Sequence, residues 1–319
     1  MALGEFDLIR QYFCRDKSAK GVVLGIGDDC ALLQVPEGQQ LAVSLDTLVA
    51  DVHFPATAAA GLIAERALRV NLSDLAAMGA EPLWFTLGLT LPASDANWLR
   101  DFSQGLFRVA DEFNISLVGG DTTRGPLSFS IQVHGAVPPG HALRRSGAQP
   151  GDRVFVTGPV GDGAAGLAVI QQRLAVDTAA HNYLINRYYR PEPQIKTGVL
   201  LRGIASAALD ISDGLVADLG HICTQSQVGA QIDVEQLPLS EAVSRYADPE
   251  QALSWALSGG DDYQLCFTVP EAKVAQFDAL CSRYRLTATA IGRIVEGSGV
   301  TCLRHGQPLA WQQTGYQHF

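Results

Sequence analysis

The chain has 319 residues, 47% hydrophobic and 18% charged, with 33 acidic against 23 basic side chains and a formal charge of −10. That length suits two domains with sizeable cores, and so acidic a surface argues against binding nucleic acid. No apolar run is long enough for a membrane span, Met1–Arg10 lacks a signal-peptide core, and the six cysteines form no Cys-x-x-Cys pair, so the expectation is a cytoplasmic protein with reduced thiols and neither zinc site nor disulfide framework.

A short helix and a basic, polar loop fill residues 1–20. Val22 to Leu24 reads as a strand, and Gly25-Ile26-Gly27-Asp28-Asp29 then sets two acids behind two turn glycines. Leu32 to Val35 continues as strand. Leu41 to Asp46 alternates: Leu41, Val43 and Leu45 face one way, Ala42, Ser44 and Asp46 the other, so a hydroxyl and a carboxylate share a face. His53 follows in a loop between apolar neighbours, as a packed loop residue or as a ligand. A helix over 58–80, closed by Gly79 and Pro82, carries Ile63, Ala67, Val70 and Asp74 on one face. A carboxylate in an apolar stripe is costly unless paired, hydrogen-bonded or metal-bound. An arginine partner, or a stripe end in solvent, would also explain Asp74.

A strand at 83–91, an amphipathic helix at 95–113, a strand at 115–118 running into Gly119-Gly120-Asp121-Thr122-Thr123, and a strand at 127–137 together suit an α+β sandwich. Pro138-Pro139-Gly140 marks a boundary, giving domains at 1–137 and 138–319. The second opens with strand 153–157. Gly158-Pro159-Val160-Gly161-Asp162-Gly163 then leads into a helix over 164–174, either an anion site or a plain turn. Helices at 180–188 and 194–205 precede strand 207–211, which delivers Asp210-Ile211-Ser212-Asp213-Gly214. Ser212 reads as the N-cap of a helix over 213–225, and capping would account for Ser212 and Asp213 but not for Asp210. Ser258-Gly259-Gly260-Asp261-Asp262-Tyr263 comes next, then strand 264–269, helix 271–284, and strands near 287–294 and 299–304.

Acids therefore recur at glycine turns and strand ends, at 28–29, 46, 121, 210, 213 and 261–262, with Asp74 supplied from a helix. Carboxylates crowded together need compensating charge, and magnesium, which takes carboxylate, phosphate and water oxygens, supplies it. It also lets an acidic protein hold a polyphosphate. The sequence has no Walker motif and no protein-kinase signature, so nucleotide chemistry here would need another scaffold.

The stretches GEFDLI at 4–9, GIGDDCALL at 25–33, DTLVADVHF at 46–54, NLSDLAAMGAEP at 71–82, GGDTTRGPLS at 119–128, RSGAQPGD at 145–152, DISDGLVADLGHI at 210–222 and ALSGGDDYQLCFTVPE at 256–271 together resemble the bacterial thiamine-monophosphate kinases, within the aminoimidazole ribonucleotide synthetase superfamily. The resemblance spans nearly the whole chain. It implies an N-terminal α+β domain for metal, nucleotide and dimer contacts, whose sheet pairs with a second subunit's, and a C-terminal α/β domain completing the ATP and substrate cleft. It implies magnesium-assisted transfer of the γ-phosphoryl group of ATP to thiamine monophosphate, with several magnesium ions and a homodimer. Asp29, Ser44, Asp46, Asp74, Asp121, Asp210 and Asp213 match metal positions, and Asp74, Asp121 and Asp210 are the candidate catalytic residues. Gly120, Asp121, Arg145 and Ser212 match ATP positions; His53, Asp261 and Tyr316 match thiamine-phosphate positions. Arg145 also reads as an exposed linker arginine. Two departures stand out: Leu45, where relatives commonly have threonine, and Asp261, where they often have glutamate. The competing readings are a ligase of the same superfamily, a metal-dependent phosphohydrolase, and a nucleotide-binding protein without catalysis.

Overall fold

The computed structural model describes residues 4–15, 19–311 and 315. The chain forms two compact units, one of residues up to Leu75 with Ala80–Gly140, the other of Ala76–Gly79 with everything from His141.

The first unit comprises α1 (Glu5–Tyr12), β1 (Val22–Leu24), β2 (Leu32–Leu33), β3 (Gln40–Val49), α2 (Ala60–Ala77, its last residues counted with the second unit), β4 (Glu81–Leu91), α3 (Ala96–Glu112), β5 (Ser116–Arg124) and β6 (Ser128–Val137). β1 and β2 make a small ribbon, and the main sheet runs β3-β6-β4-β5, antiparallel except where β4 meets β5. Cross-strand partners share a face. Phe85, Leu87 and Leu89 of β4 thus lie beside Val133, Ile131 and Phe129 of β6, all buried. Two helices cover this face: Phe102 of α3 meets Phe129 edge-on at 5.6 Å, and Ile63, Leu68 and Leu72 of α2 are fully buried. Each such side chain contributes roughly 1.5–3 kcal/mol, so the position of α2 over the sheet is strongly fixed. The opposite face of β3 exposes Leu41, Val43 and Leu45 by 46, 49 and 55%.

β5 continues through Gly119–Arg124, where the sequence suggests a loop after Val118. Gly120 is the reason: a Cβ there would stand 2.0 Å from the Leu87 carbonyl oxygen, so only glycine lets β5 run this close along β4.

The second unit comprises β7 (Arg153–Val156), α4 (Asp162–Ile170), α5 (Thr178–Tyr189), α6 (Ile195–Leu201), β8 (Ala207–Asp210), α7 (Leu215–Ser226), β9 (Gly229–Asp233), α8 (Glu241–Tyr246), α9 (Pro249–Ser258), β10 (Leu265–Val269), α10 (Glu271–Tyr284), β11 (Thr289–Val295), β12 (Gly299–Arg304) and β13 (Gln307–Pro308). One sheet runs β13-β12-β9-β11-β7-β10-β8. Its β7-β10-β8 end is buried on both sides, these strands being apolar at nearly every position, whereas β11, β9, β12 and β13 carry half-buried or exposed positions. Val154 and Val156 enter a core with Leu215, Leu219 and Ile222 of α7, while Phe155 between them packs with Phe267 and Phe277 in a second core. The α+β architecture read from the order of elements in the first domain, and the α/β second domain that the family resemblance implies, are what the two units have. β9, α8, α9 and β13 were not foreseen. Among the described residues no helix is long and apolar enough to cross a membrane.

Candidate active site

In the first unit the site begins with two elements facing each other. Ser44 and Asp46 sit two residues apart on β3, on the face shared with Val133 and Ile131. α2 lies over that face. It is buried from Ile63 to Ala77 except at Asp74, which is partly open. The Ser44 hydroxyl donates to Asp74 Oδ2 at 2.5 Å. One turn earlier, the fully buried Asn71 accepts from the Asp46 backbone N–H at 3.1 Å and donates to the Ala67 carbonyl at 2.9 Å. The acid in the apolar stripe thus faces a hydroxyl, and its neighbour on the helix braces the strand that carries the second acid.

The remaining candidates of this unit stand differently. Asp121 pairs with Gly88, and Gly88 with Ser130, so the register puts Asp121 on the sheet face opposite Ser44 and Asp46. Thr47 is on Asp121's side, its hydroxyl 2.6 Å from that of Ser130. Leu45 faces that way too, so the departure there leaves the contact of Ser44 with Asp74 untouched. Asp29 is exposed, with its N–H on Asp28 Oδ1 at 3.0 Å. His53 lies in a loop anchored by buried Phe54, which stacks on Phe129 at 5.2 Å. Its Nδ1 accepts from the Val49 N–H at 3.0 Å, so the neutral ring carries its proton on Nε2.

In the second unit three loops interlock. β8 ends on Asp210, which is buried, and the chain turns through Ser212, Asp213 and Gly214 into α7. Ser212 is not the N-cap the sequence suggests. α7 starts at Leu215 after Gly214, whose φ is 123°. The N–H groups of Ser212, Asp213 and Gly214 instead all donate to Asp218 Oδ2, at 3.0, 3.0 and 3.1 Å. Burial pushes the Asp218 carboxyl up to about 7 against these three bonds.

The loop bearing Asp261 locks onto this turn: its N–H donates to the Ser212 carbonyl at 2.9 Å, and that of Tyr263 to the Ile211 carbonyl at 2.8 Å. Asp261 and Tyr263 both hold positive φ, 61° and 51°, a strain that non-glycine residues keep only where their surroundings impose it. The Tyr263 hydroxyl donates to Asp261 Oδ1 at 3.1 Å.

Between them, buried Asp262 reaches the start of α4 and accepts from the N–H groups of Gly161 at 2.7 Å and Gly163 at 3.1 Å. Burial raises its carboxyl to about 7. The glycine turn at 158–163 is therefore closed by an internal carboxylate rather than open to an external anion. Asp162 beside it is fully buried and accepts from the hydroxyls of Tyr183 and Ser240, each at 2.5 Å. Arg145 is exposed, its carbonyl accepting from Ser226 at 3.2 Å. Tyr316 lies outside the described residues.

Asn71 and Asp218 are the side chains the sequence reading does not single out, and Asp262 enters it only as one of the acids at 261–262. Asn71 stands one turn before Asp74, and Asp218 four residues after Gly214; those spacings were the available signals. Asp262 could not be told from Asp261 without the fold. Among the described residues no three His, Cys, Asp or Glu side chains gather into a ready metal cage. Ser44, Asp46 and Asp74 nonetheless offer hard oxygen donors on facing elements. Magnesium, which keeps several waters and takes one or two carboxylates, fits that donor set.

Family models match both parts of the chain: AIR synthase related protein, N-terminal domain, over residues 27–137, and AIR synthase related protein, C-terminal domain, over 149–303. The chain is 53% identical to the thiamine-monophosphate kinase of Escherichia coli strain K12, across 100% of this chain and 99% of that one. A crystal structure of thiamine-monophosphate kinase from Stenotrophomonas maltophilia K279a superposes with a TM-score of 0.85 at 45% identity, covering 91% of this chain and 93% of that one. AaThiL complexed with AMPPCP and TMP superposes with a TM-score of 0.78 at 31% identity, covering 98% and 96%.

Proposed function

The chain belongs to the thiamine-monophosphate kinases of the AIR synthase related family, and from that premise we propose that it moves the γ-phosphoryl group of ATP directly onto thiamine monophosphate, giving thiamine diphosphate, as a cytoplasmic homodimer. The observation that carries this reading is the contact of Ser44 with Asp74 on the face shared with Asp46. It is an oxygen-donor pair held by a strand and a helix, in a chain alike along its whole length to kinases of this substrate.

The acceptor is a phosphate monoester with a second pKa of about 6, so it is already largely ionised at neutral pH and needs no general base. The obstacle is repulsion between two phosphates. Several magnesium ions, shared among Ser44, Asp46 and Asp74 on one face of the first sheet, Asp121 on the other, Asp29, and Asp210 and Asp213 in the second unit, would supply the positive charge that lets the phosphates approach in line. The other groups position the substrates. His53, with its proton on Nε2, can donate to an acceptor phosphate oxygen. Asp261 presents its carboxylate from a strained loop braced by Tyr263. Gly120, Asp121, Arg145 and Ser212 serve ATP, with Arg145 offsetting charge on its phosphates. Residues 1–137 and 138–319 each carry part of this set. The exposed stripe of Leu41, Val43 and Leu45 supports the homodimer, since it is an apolar strand face that a second sheet would cover.

The test is a product assay of the purified chain with ATP, magnesium and thiamine monophosphate. Thiamine diphosphate and ADP should form in equal amounts. ATP consumption indifferent to thiamine monophosphate would point to a hydrolase, and binding without turnover to a catalytically silent relative.

A further inference from the structure

Two helices of the second unit begin where a phosphate is commonly held, and at both the position is taken from within. At α4 the N–H groups of Gly161 and Gly163 end on Asp262. At α7 three consecutive N–H groups, of Ser212, Asp213 and Gly214, end on the single atom Asp218 Oδ2. Backbone N–H groups at such a start bind anions when their donors are unspent; those of residues 212–214, just ahead of α7, are spent on Asp218. With those three N–H groups taken, the groups by which residues 210–214 would meet a nucleotide are side chains, the carboxylates of Asp210 and Asp213 and the Ser212 hydroxyl.

We propose that Asp218 is a positioning residue for phosphoryl transfer: an internal anion that winds residues 212–214 into the shape in which Asp210 and Asp213 can hold a cation. The loop then meets phosphate through that cation and not through its own amides. Asp218 touches neither substrate nor metal. Its carboxylate is 4% exposed as a residue and reaches the loop from the first turns of α7, four residues beyond Gly214. The Asp261 loop is held to this stretch separately, by the N–H groups of Asp261 and Tyr263 on the carbonyls of Ser212 and Ile211, and keeps that anchor when Asp218 is removed. This inference rests on the kinase reading above.

The experiment uses the full chain with Asp218→Ala and Asp218→Asn, and reads the magnesium concentration for half-maximal turnover, the Michaelis constant for thiamine monophosphate, and Mn2+ binding by electron paramagnetic resonance. Asp218→Ala should raise the half-saturating magnesium at least tenfold and weaken Mn2+ binding in parallel, with less than a threefold change for thiamine monophosphate. Asp218→Asn keeps an oxygen that accepts the three N–H groups and should recover most of the loss. Added formate should restore part of the alanine variant's metal affinity by entering the vacated position.

An alanine variant with unchanged metal affinity, or one that loses both affinities equally, would mean Asp218 is only a structural cap. An asparagine variant as impaired as the alanine would also overturn the proposal. If Asp218→Ala does not fold, Asp218→Ser, with an oxygen but too short a reach, is read the same way. Should the wild type make no thiamine diphosphate, the kinase reading fails alone, and the Mn2+ titrations still decide the role of Asp218.

Discussion

The two units present their acids by different means. In the first, Asp46 and Asp74 project from a strand and a helix whose geometry is fixed by the sheet register and a buried layer of apolar side chains. One neutral side chain, Asn71, adds the brace between them. In the second, Asp210 stands at the end of β8 while Asp213 and Asp261 project from loops, and the loops are shaped by buried carboxylates that gather backbone N–H groups in threes and twos. Regular structure satisfies its own backbone, so an acid mounted on it needs little support. A loop leaves its amides open, and a protein built around anionic substrates has reason to close them with its own anions. The cost is a pair of buried carboxyls pushed up to about 7.

The sharpest way to break this comparison is Asp74→Asn. The substitution keeps the shape and an acceptor for the Ser44 hydroxyl but removes the charge. Turnover should fall by roughly 100-fold or more, the scale on which losing a charged group at a phosphoryl-transfer site is felt, while the thermal midpoint stays near that of the wild type. Near-normal turnover at limiting magnesium would take Asp74 out of the metal set and leave the first unit's pair as a structural contact.

Next in size is the pH dependence written into the second unit. Asp262 is raised from 3.8 to about 7, mainly by burial, with buried Asp162 adding to the rise and Arg187 and the two N–H groups opposing it. A carboxyl whose folded value lies above its unfolded one favours the fold while protonated. Its contribution is full below about pH 4 and is lost as pH climbs through about 7, a span worth about 4 kcal/mol at most. Asp262→Asn does not titrate. The stability difference between wild type and variant, from urea unfolding, should therefore favour the wild type most at low pH and shrink toward neutrality. A flat difference across that range would mean that Asp262 is ionised throughout.

The contrast between the units also governs what was legible in the sequence. Ser44 with Asp46, and Asp74 in its stripe, are visible because strand period and helix period each assign a face. The second unit's loops have no period. Ser212 looks like an N-cap because serine before a helix usually is one, and the acid that takes the N–H groups lies six residues further on. Gly119-Gly120-Asp121 looks like a turn because two glycines usually make one, whereas here the close approach of Leu87 requires glycine at 120 within a strand. β9 and α8, five and six residues long, are too short for a periodic signal to stand out.

The smallest expected effect comes from removing the brace in the first unit. Asn71→Ala deletes a buried amide that holds the Asp46 N–H and the Ala67 carbonyl. It leaves the Asp46 N–H without that acceptor and a small void beside a packed helix, together a loss of about 1–3 kcal/mol in unfolding free energy. The effect on metal affinity should be slighter than that of Asp218→Ala, because Asp46 is still held in register by β6 across its pairing with Ile131. Measured side by side, half-saturating magnesium should rise only a fewfold for Asn71→Ala. If it rises as much as for Asp218→Ala, the sheet is not what holds Asp46 in place, and the strand-borne acid depends on a single side chain as much as the loop-borne ones do.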